Sequence, residues 1–438
     1  MHGDFSNITF SPGHNYSTVF DLQGRVGLDA NRNEQTAILL HQLRTTMADL
    51  VGPYAGPEGD HLGFGIKDLT DNDFTIGAGR YYVDGILVDN PADVAYTAQP
   101  HAFIDVRDAS GADKLSDSRY LLYLKVWERH ITEVEAPALH EPALGLHHPD
   151  SASRAQVVWQ VRAKTLDPND DPEAWLTAQR APRRVGVLQV RAVADDSAMD
   201  DPCIAAPDAG YTGENQLYRV EIRGGGRAGE GAGFVWSRDN GSVIQPVRHC
   251  DDTKVQVAGL GRDRHTTLEP GQWVEVVDDA VSTRRELGLP EPAAPLRKIV
   301  DLDIDTQTVI LNATPAPPGT GTAPSRHPYL RRWDHTPPDD LHSKDGTIPV
   351  TEGPWLPLEH GIEVRFTPAP DDPAHEYRNG DYWTFPARRT LADVIWPYPE
   401  GSSPHGVAYH YAPLAVVTDA KAIAALRTSF KVPLDRQV

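Results

Sequence analysis

The sequence predicts a mainly β protein with two antiparallel β domains, each sandwich- or barrel-like. At least a dozen short segments alternate apolar and polar residues with the period of a strand, and only two segments show a helical pattern. Gly and Pro contribute 36 and 37 of the 438 residues, about 17% against about 12% in average usage. Such dense punctuation indicates many turns and few long helices.

An amphipathic helix is predicted over residues 31–51 of the first domain, which is expected to span residues 1–200. Asn31 and Glu34 have the spacing of a capping box, and Gly52-Pro53 ends the pattern. One face carries four apolar residues at spacings of 3, 4 and 3: Leu40, Leu43, Met47 and Leu50. This face has two interpretations: it packs on a sheet of its own domain, or it forms a short self-association seam.

The strands of the first domain follow that helix. Asp84-Gly85 separates two β-branched and aromatic runs and predicts a tight hairpin, because both turn positions require positive φ. Residues 119–131, 155–163 and 184–193 predict three longer strands. Asp171-Pro172 predicts the start of a short helix that runs to Leu176.

An acidic, loop-like stretch at residues 194–216 predicts the boundary of the second β domain, over residues 201–400. Strand patterns recur from Leu217 to Phe385 in that domain. Residues 401–438 are expected to form a C-terminal strand at 408–417 and a short helix at 419–430. Because chain termini often lie close together, this segment is a candidate to return to the first domain.

The charge excludes two classes of partner. The chain has 41 basic and 62 acidic residues and a net charge of −21, which opposes binding to nucleic acid or to an anionic membrane. No run of about 18 apolar residues predicts a membrane span. The N-terminal residues lack the pattern of a signal peptide, so synthesis and folding in the cytoplasm are expected.

Catalytic motifs are absent from the sequence, which has no nucleophile elbow, phosphate-binding loop or zinc-binding motif of the common types. Two loops rich in His and acidic residues are candidate metal sites; solvated loops are the preferred interpretation, because the ligand spacing is irregular. They lie at His140–Asp150 and His335–Asp345. The sequence therefore predicts no catalytic residue, cofactor or metal site, and leaves open whether Cys203 and Cys250 pair.

Aromatic residues are concentrated in the final third of the chain and give the one candidate interaction surface. Stacking on a glycan or contact with a protein partner would use such residues, although β proteins also place aromatics in their cores. The candidate residues are Trp333, Trp355, Trp383, Trp396 and Tyr382.

Several segments resemble an uncharacterised bacterial family, a domain of unknown function encoded with baseplate and tail genes of phage-tail-like contractile injection systems. The resemblance rests on the opening GDFSNITFSPGHNYSTVFDLQGRVGLDANRNEQTAILLHQLRTTMADLVGP, on GAGRYYVDGILV, YLLYLKVWERHI and RAQVVWQV, and on QLYRVEI, FVWSRDNGSV, WVEVVDD, GIEVRF, GDYWTFPAR and PHGVAYHYAPLAVV. It spans nearly the whole chain. Residues 30–33 read Ala-Asn-Arg-Asn, where the family usually has Asp-Trp-Asn. The resemblance supplies no catalytic residue.

The resemblance implies a structural or accessory protein of such a system, baseplate-associated or fibre- or spike-like. Its expected partners are other injection-system proteins (baseplate, tube or spike) and further copies of itself, in a particle assembled in the cytoplasm and released. Two alternatives remain open at this point. The protein could be cargo carried in the tube lumen, or a glycan-binding or glycan-cleaving protein that uses the aromatic residues.

Overall fold

A computed structural model describes residues 2–104, 115, 118–144, 150–181, 183, 185–194, 210–261, 263, 265–286, 294–336, 346–369, 372, 375–418 and 422–431. The helices are α1 (Asp29–Val51), α2 (Pro172–Arg180) and α3 (Asp279–Glu286). The strands are β1 (Tyr54–Pro57), β2 (Ile66–Lys67), β3 (Thr75–Ile76), β4 (Gly79–Val83), β5 (Ile86–Asn90), β6 (Val94–Ala95), β7 (Tyr120–Ile131), β8 (Arg154–Thr165), β9 (Val187–Ala192), β10 (Gln216–Ile222), β11 (Gly233–Ser237), β12 (Ile244–Asp251), β13 (Lys254–Val257), β14 (Trp273–Val277), β15 (Arg297–Asp303), β16 (Thr308–Leu311), β17 (Tyr329–Trp333), β18 (Ile348–Pro349), β19 (Leu356–Pro357), β20 (Ile362–Thr367), β21 (Tyr382–Arg388), β22 (Asp393–Val394), β23 (His410–Thr418), β24 (Ala422–Ala425) and β25 (Ser429–Phe430). The predicted mainly β fold is confirmed.

The chain forms two compact units, and each draws on separate stretches of sequence. The helix unit contains residues 8–129, 155–182 and 408–438. The barrel unit contains residues 1–7, 130–154 and 183–407. This division differs from a single boundary near residue 200, because the chain passes from one unit to the other several times.

The helix unit is built around β7. In the sheet ordered β24-β23-β7-β8, residues 410–417 of β23 pair antiparallel with residues 120–126 of β7. Both faces of β7 are buried: Leu122 and Leu124 belong to the main core, whereas Leu121 packs with Leu176 of α2. A second four-stranded sheet, β25-β1-β4-β5, and a three-stranded sheet, β2-β3-β6, complete the unit.

The barrel unit combines a closed barrel with a two-sheet sandwich. Six strands close the barrel in the order β12-β13-β16-β15-β14-β17, around aliphatic side chains such as Val255, Val274 and Val309. The sheets β18-β11-β10-β21-β22 and β19-β20-β9 share a second core. That core contains Trp383, which the sequence analysis gives as a candidate for an interaction surface.

The hairpin predicted at Asp84-Gly85 joins β4 and β5, with Val83 opposite Ile86. Both turn residues have positive φ, 45° and 78°, as a two-residue turn of this kind requires. A Cβ atom on Gly85 would lie 2.0 Å from the Arg44 carbonyl oxygen of α1. Glycine is therefore needed here both for the turn and for the close approach of the helix.

Helix α1 begins two residues earlier than predicted, at Asp29, and it has no capping box. Its N-cap residue is Leu28, whose side chain makes no capping hydrogen bond. The Glu34 carboxylate instead accepts a hydrogen bond from Thr9 Oγ1 at 2.6 Å. At α2 the prediction is confirmed and extended: the Asp171 side chain accepts from the Glu173 amide, and the helix continues to Arg180.

The predicted C-terminal helix over residues 419–430 is wrong for the part the structure describes. Residues 422–425 form β24, which pairs antiparallel with β23, and residues 429–430 form β25, which pairs parallel with β1. Two sheet edges satisfy the backbone groups here, and this tertiary pairing overrides the helical preference of an Ala-rich segment. Residues 419–421 lie outside the described residues.

Candidate interaction surface

Two of the five predicted aromatic residues lie in cores of the barrel unit. Trp333 is fully buried, and Trp383 is 1% exposed. The Trp383 indole donates to the Ser402 carbonyl at 2.8 Å, and its ring packs against Phe366. Buried rings cannot stack on a glycan or dock a partner, so the surface assignment of Trp333 and Trp383 is corrected to a core role.

The other three predicted aromatics are half-buried and held by different neighbours. Trp355 lies under the Arg191 and Arg365 guanidinium groups, whose carbons are 4.1 and 4.7 Å from its ring centre. Tyr382 lies 3.6 Å below the Arg219 guanidinium. The Trp396 ring meets Phe385 and Tyr398 edge-on. The five residues therefore do not make up one exposed platform.

The two loops weighed as metal sites fall largely outside the described residues. His147, His148, Asp339, Asp340, His342 and Asp345 are among the residues not described, as is Cys203. In the stretches of chain with a described structure, no three His, Cys, Asp or Glu side chains converge as metal ligands. His335 is buried, and its ring pairs with the Gly346 carbonyl.

Burial lowers the pKa of His335 to about 4. In the unfolded chain this His has an ordinary pKa near 6.5. Between about pH 4 and pH 6.5 the unfolded chain therefore binds a proton at His335 that the folded chain does not bind. Above about pH 6.5 His335 is neutral in both states and does not lower the free energy of unfolding. As the pH falls from 6.5 towards 4, protonation of His335 in the unfolded chain lowers the free energy of unfolding. We expect the wild type to lose about 3 kcal/mol more than His335→Gln across this range, measured by urea unfolding at each pH. Equal losses would contradict this expectation.

A cleft of about 430 Å³ also lies in the barrel unit, beside the segment Gly3–Asn7. Its lining is largely polar and includes Asn215, Gln216 and Arg388. The Arg388 guanidinium donates to the Gln216 and Ala387 carbonyls, and the Asn215 side chain accepts from a backbone amide. These polar groups hold the local backbone, which gives the cleft a structural explanation.

Five buried charged residues form an ionic cluster that sequence analysis missed: Arg219, Glu221, Arg223, Glu275 and Arg331. They come from β10, β14, β17 and the residue after β10. On β10, Arg219 and Glu221 belong to the cluster, whereas the alternate residues Tyr218, Val220 and Ile222 belong to the apolar sandwich core. Residues 219–223 read Arg-Val-Glu-Ile-Arg, the pattern of a strand with one solvent-exposed face. Only the tertiary structure shows that both faces of this strand are buried.

Ion pairs connect the members of this cluster. The Glu275 carboxylate accepts from Arg223 and, at 3.0 Å, from Arg331. The Glu221 carboxylate accepts from Arg219 at 2.7 Å and lies 2.7 Å from His2 Nε2. Burial favours the protonated form of Glu221, but the neighbouring positive groups outweigh it and lower its pKa. Each carboxylate is thus paired inside the cluster, which holds three arginines against two glutamates, so removal of either carboxylate would leave buried positive charge uncompensated.

The exposed apolar surface lies elsewhere, at the start of the helix unit. Nineteen large apolar side chains are exposed among the described residues, and ten of these belong to residues 8–51. We call residues 8–28 the arm, and together with α1 they form the N-terminal surface. The ten residues are Ile8, Tyr16, Phe20, Leu22, Val26, Leu28, Leu39, Leu40, Leu43 and Leu50.

The arm lies along α1 through polar contacts. Gln35 Oε1 accepts from Thr18 Oγ1 at 2.9 Å and from the Val19 amide at 2.8 Å. The Phe10 ring lies 5.5 Å from that of His41. These contacts fix the arm beside the helix, while the large side chains of the arm, such as Phe20 (81% exposed) and Val26 (84% exposed), stay in solvent.

The residues that hold helix α1 in place lie off its leucine face. Ile38 is its buried residue, and Arg44 forms a two-bond ion pair with Glu128 at 2.8 and 2.9 Å. At 3.6 residues per turn, Ile38 lies roughly 150° around the helix from the centre of the leucine face. Leu43 and Leu50 are 60% and 76% exposed. Packing of this face on the protein's own sheet is therefore wrong, and the self-association interpretation stays open.

A family model covers most of the chain. The model described as "Family of unknown function (DUF6519)" matches residues 1–174 and 174–421. The chain belongs to this family. No curated protein and no solved structure matches this DUF6519 chain. In its described residues, none of the helices combines the length and apolar character that a bilayer crossing requires.

Proposed function

We propose that this DUF6519 protein is a non-catalytic structural or accessory component of a phage-tail-like contractile injection system. It attaches at the baseplate or as a fibre- or spike-like appendage. The observation that carries the proposal is the N-terminal surface: residues 8–51, about a tenth of the chain, hold more than half of the large apolar side chains that are exposed in the described part of the protein. A concentration of apolar side chains in water is typical of a surface that a partner covers.

Charge supports an assembly role for this surface. The whole chain carries −21, but residues 8–51 contain three Arg and four acidic residues, a net charge of −1. The acidic remainder keeps the protein soluble before assembly. A nearly neutral apolar surface can then meet a protein partner without strong repulsion.

The sequence resemblance is what links this protein to an injection system. The opening segment that resembles the injection-system family contains the arm and much of α1. The resemblance thus covers the same part of the chain as the exposed apolar residues. Baseplate, tube or spike proteins are the proposed partners, in a particle that is assembled in the cytoplasm and released.

The glycan alternative loses its stated basis, because two of its five aromatics are buried and two others lie under arginines of the same unit. The cargo alternative places the protein in the tube lumen, so the position of the protein in the intact particle distinguishes it from an external component.

The test of membership is the protein composition of particles purified from the native host. We expect mass spectrometry to find this chain at a fixed ratio to the baseplate proteins through successive gradient steps. A deletion strain provides the matched control. Loss of the chain from the particles during purification, or its absence from them, would contradict the proposal.

A further inference from the structure

The leucine face of α1 has the properties of a helix-to-helix seam. Leu39, Leu40, Leu43, Met47 and Leu50 lie within about 100° of arc at 3.6 residues per turn. No charged residue interrupts this arc between Thr36 and Leu50. Because the seam contains only apolar and hydroxyl groups on this stretch, its best complement is another uncharged apolar seam.

We propose that the partner on this face is α1 of a second copy of the same chain, so that the protein self-associates through its N-terminal surface. The arms then extend the contact on both sides of the paired helices. This inference rests on the proposed function, because it names one partner of the assembly surface. It is tested on the purified protein, without the particle.

The leucine face of α1 alone is smaller than a standard interface, so the contact also needs the apolar side chains of the arm. The ten side chains of the N-terminal surface are between 40% and 84% exposed. At about 150 Å² for a large apolar side chain, the four exposed leucines of the α1 face offer roughly 350 Å² and all ten side chains roughly 1,000 Å² per copy. A standard protein interface buries about 800 Å² on each partner.

Charge favours self-association at this surface over other parts of the chain. Outside residues 8–51 the chain carries −20, the difference between −21 and −1, so most contacts between two copies bring like charges together. At the N-terminal surface this repulsion is weak, because charges beyond about 8 Å are screened at physiological salt. The surface that two copies can best share is therefore also the most apolar one.

The test compares two double variants that add the same charge at equally exposed positions. Leu43 and Leu50 are 60% and 76% exposed, and the controls Leu391 and Ile304 are 61% and 76% exposed. By light scattering at tens of micromolar, we expect the wild type and the control L391E/I304E to be oligomers of equal mass. We expect L43E/L50E to fall to the 48.1 kDa of one chain, because its seam would bury facing carboxylates.

A monomeric wild type, or an L43E/L50E variant of unchanged oligomeric mass, would overturn the inference. Cysteine cross-linking covers the case in which L43E/L50E misfolds. On mild oxidation, Leu43→Cys should give a covalent band of doubled mass, and Leu391→Cys should not. A negative result in these experiments would not contradict the proposed membership in the particle, because membership is tested separately by mass spectrometry of purified particles.

Discussion

Replacing Glu275 by Gln is expected to lower the free energy of unfolding of the barrel unit by about 3–5 kcal/mol. Glu275 is fully buried and accepts hydrogen bonds from Arg223 and Arg331. The substitution keeps the shape of the side chain but removes its charge and places an amide donor among guanidinium donors. Two buried cations then lose a shared carboxylate, which costs far more than an exposed pair.

The control is Glu363→Gln on the sheet β19-β20-β9. Its carboxylate pairs with Arg191, and the side chains are 22% and 45% exposed. Water replaces the lost contact at such a site, so a loss below about 1 kcal/mol is expected. Urea unfolding followed by tryptophan fluorescence measures both variants. Equal midpoint shifts for Glu275→Gln and Glu363→Gln would show that the ionic cluster does not stabilise the unit as inferred.

Replacing Trp383 by Ala is expected to lower the free energy of unfolding by about 3–5 kcal/mol, because it leaves a ring-sized cavity in the sandwich core. The indole is almost fully buried, and the substitution also removes its hydrogen bond to the Ser402 carbonyl. Thermal or urea unfolding measures the loss. This result separates a core role from the ligand-binding role that the sequence suggested.

Trp355→Ala is the comparison for that experiment. The Trp355 ring is half-buried under two guanidinium groups, and each cation–π contact at a partly exposed site contributes about 0.5–1 kcal/mol. A loss of roughly 1–2 kcal/mol is expected. A Trp383→Ala protein of wild-type stability that had lost binding to a glycan array would restore the surface assignment.

Local chemistry explains which parts of the fold could be predicted from sequence. The turn at Asp84-Gly85 needs two residues that tolerate positive φ, and the Asp171-Pro172 start of α2 needs a capping side chain and a residue with no free amide. These requirements act within a few residues. They hold whatever the rest of the chain does.

The remainder depends on which surfaces meet. An alternating strand with aromatic residues has the same pattern whether its aromatic face lies in a core or in solvent, so Trp383 could not be placed. The leucine face of α1 shows the opposite case, since an apolar stripe predicts burial but does not say by which chain. Residues 422–425 and 429–430 form strands because β23 and β1 offer edges to pair with.

The central claim is that the N-terminal surface is where this protein assembles into an injection particle. Cryo-electron microscopy of intact particles, with a deletion strain for difference density, tests it most directly. We expect density for the two units outside the tube, with residues 8–51 covered by protein and α1 helices paired between copies. Density confined to the tube lumen, or an α1 leucine face open to solvent in the assembled particle, would contradict the claim.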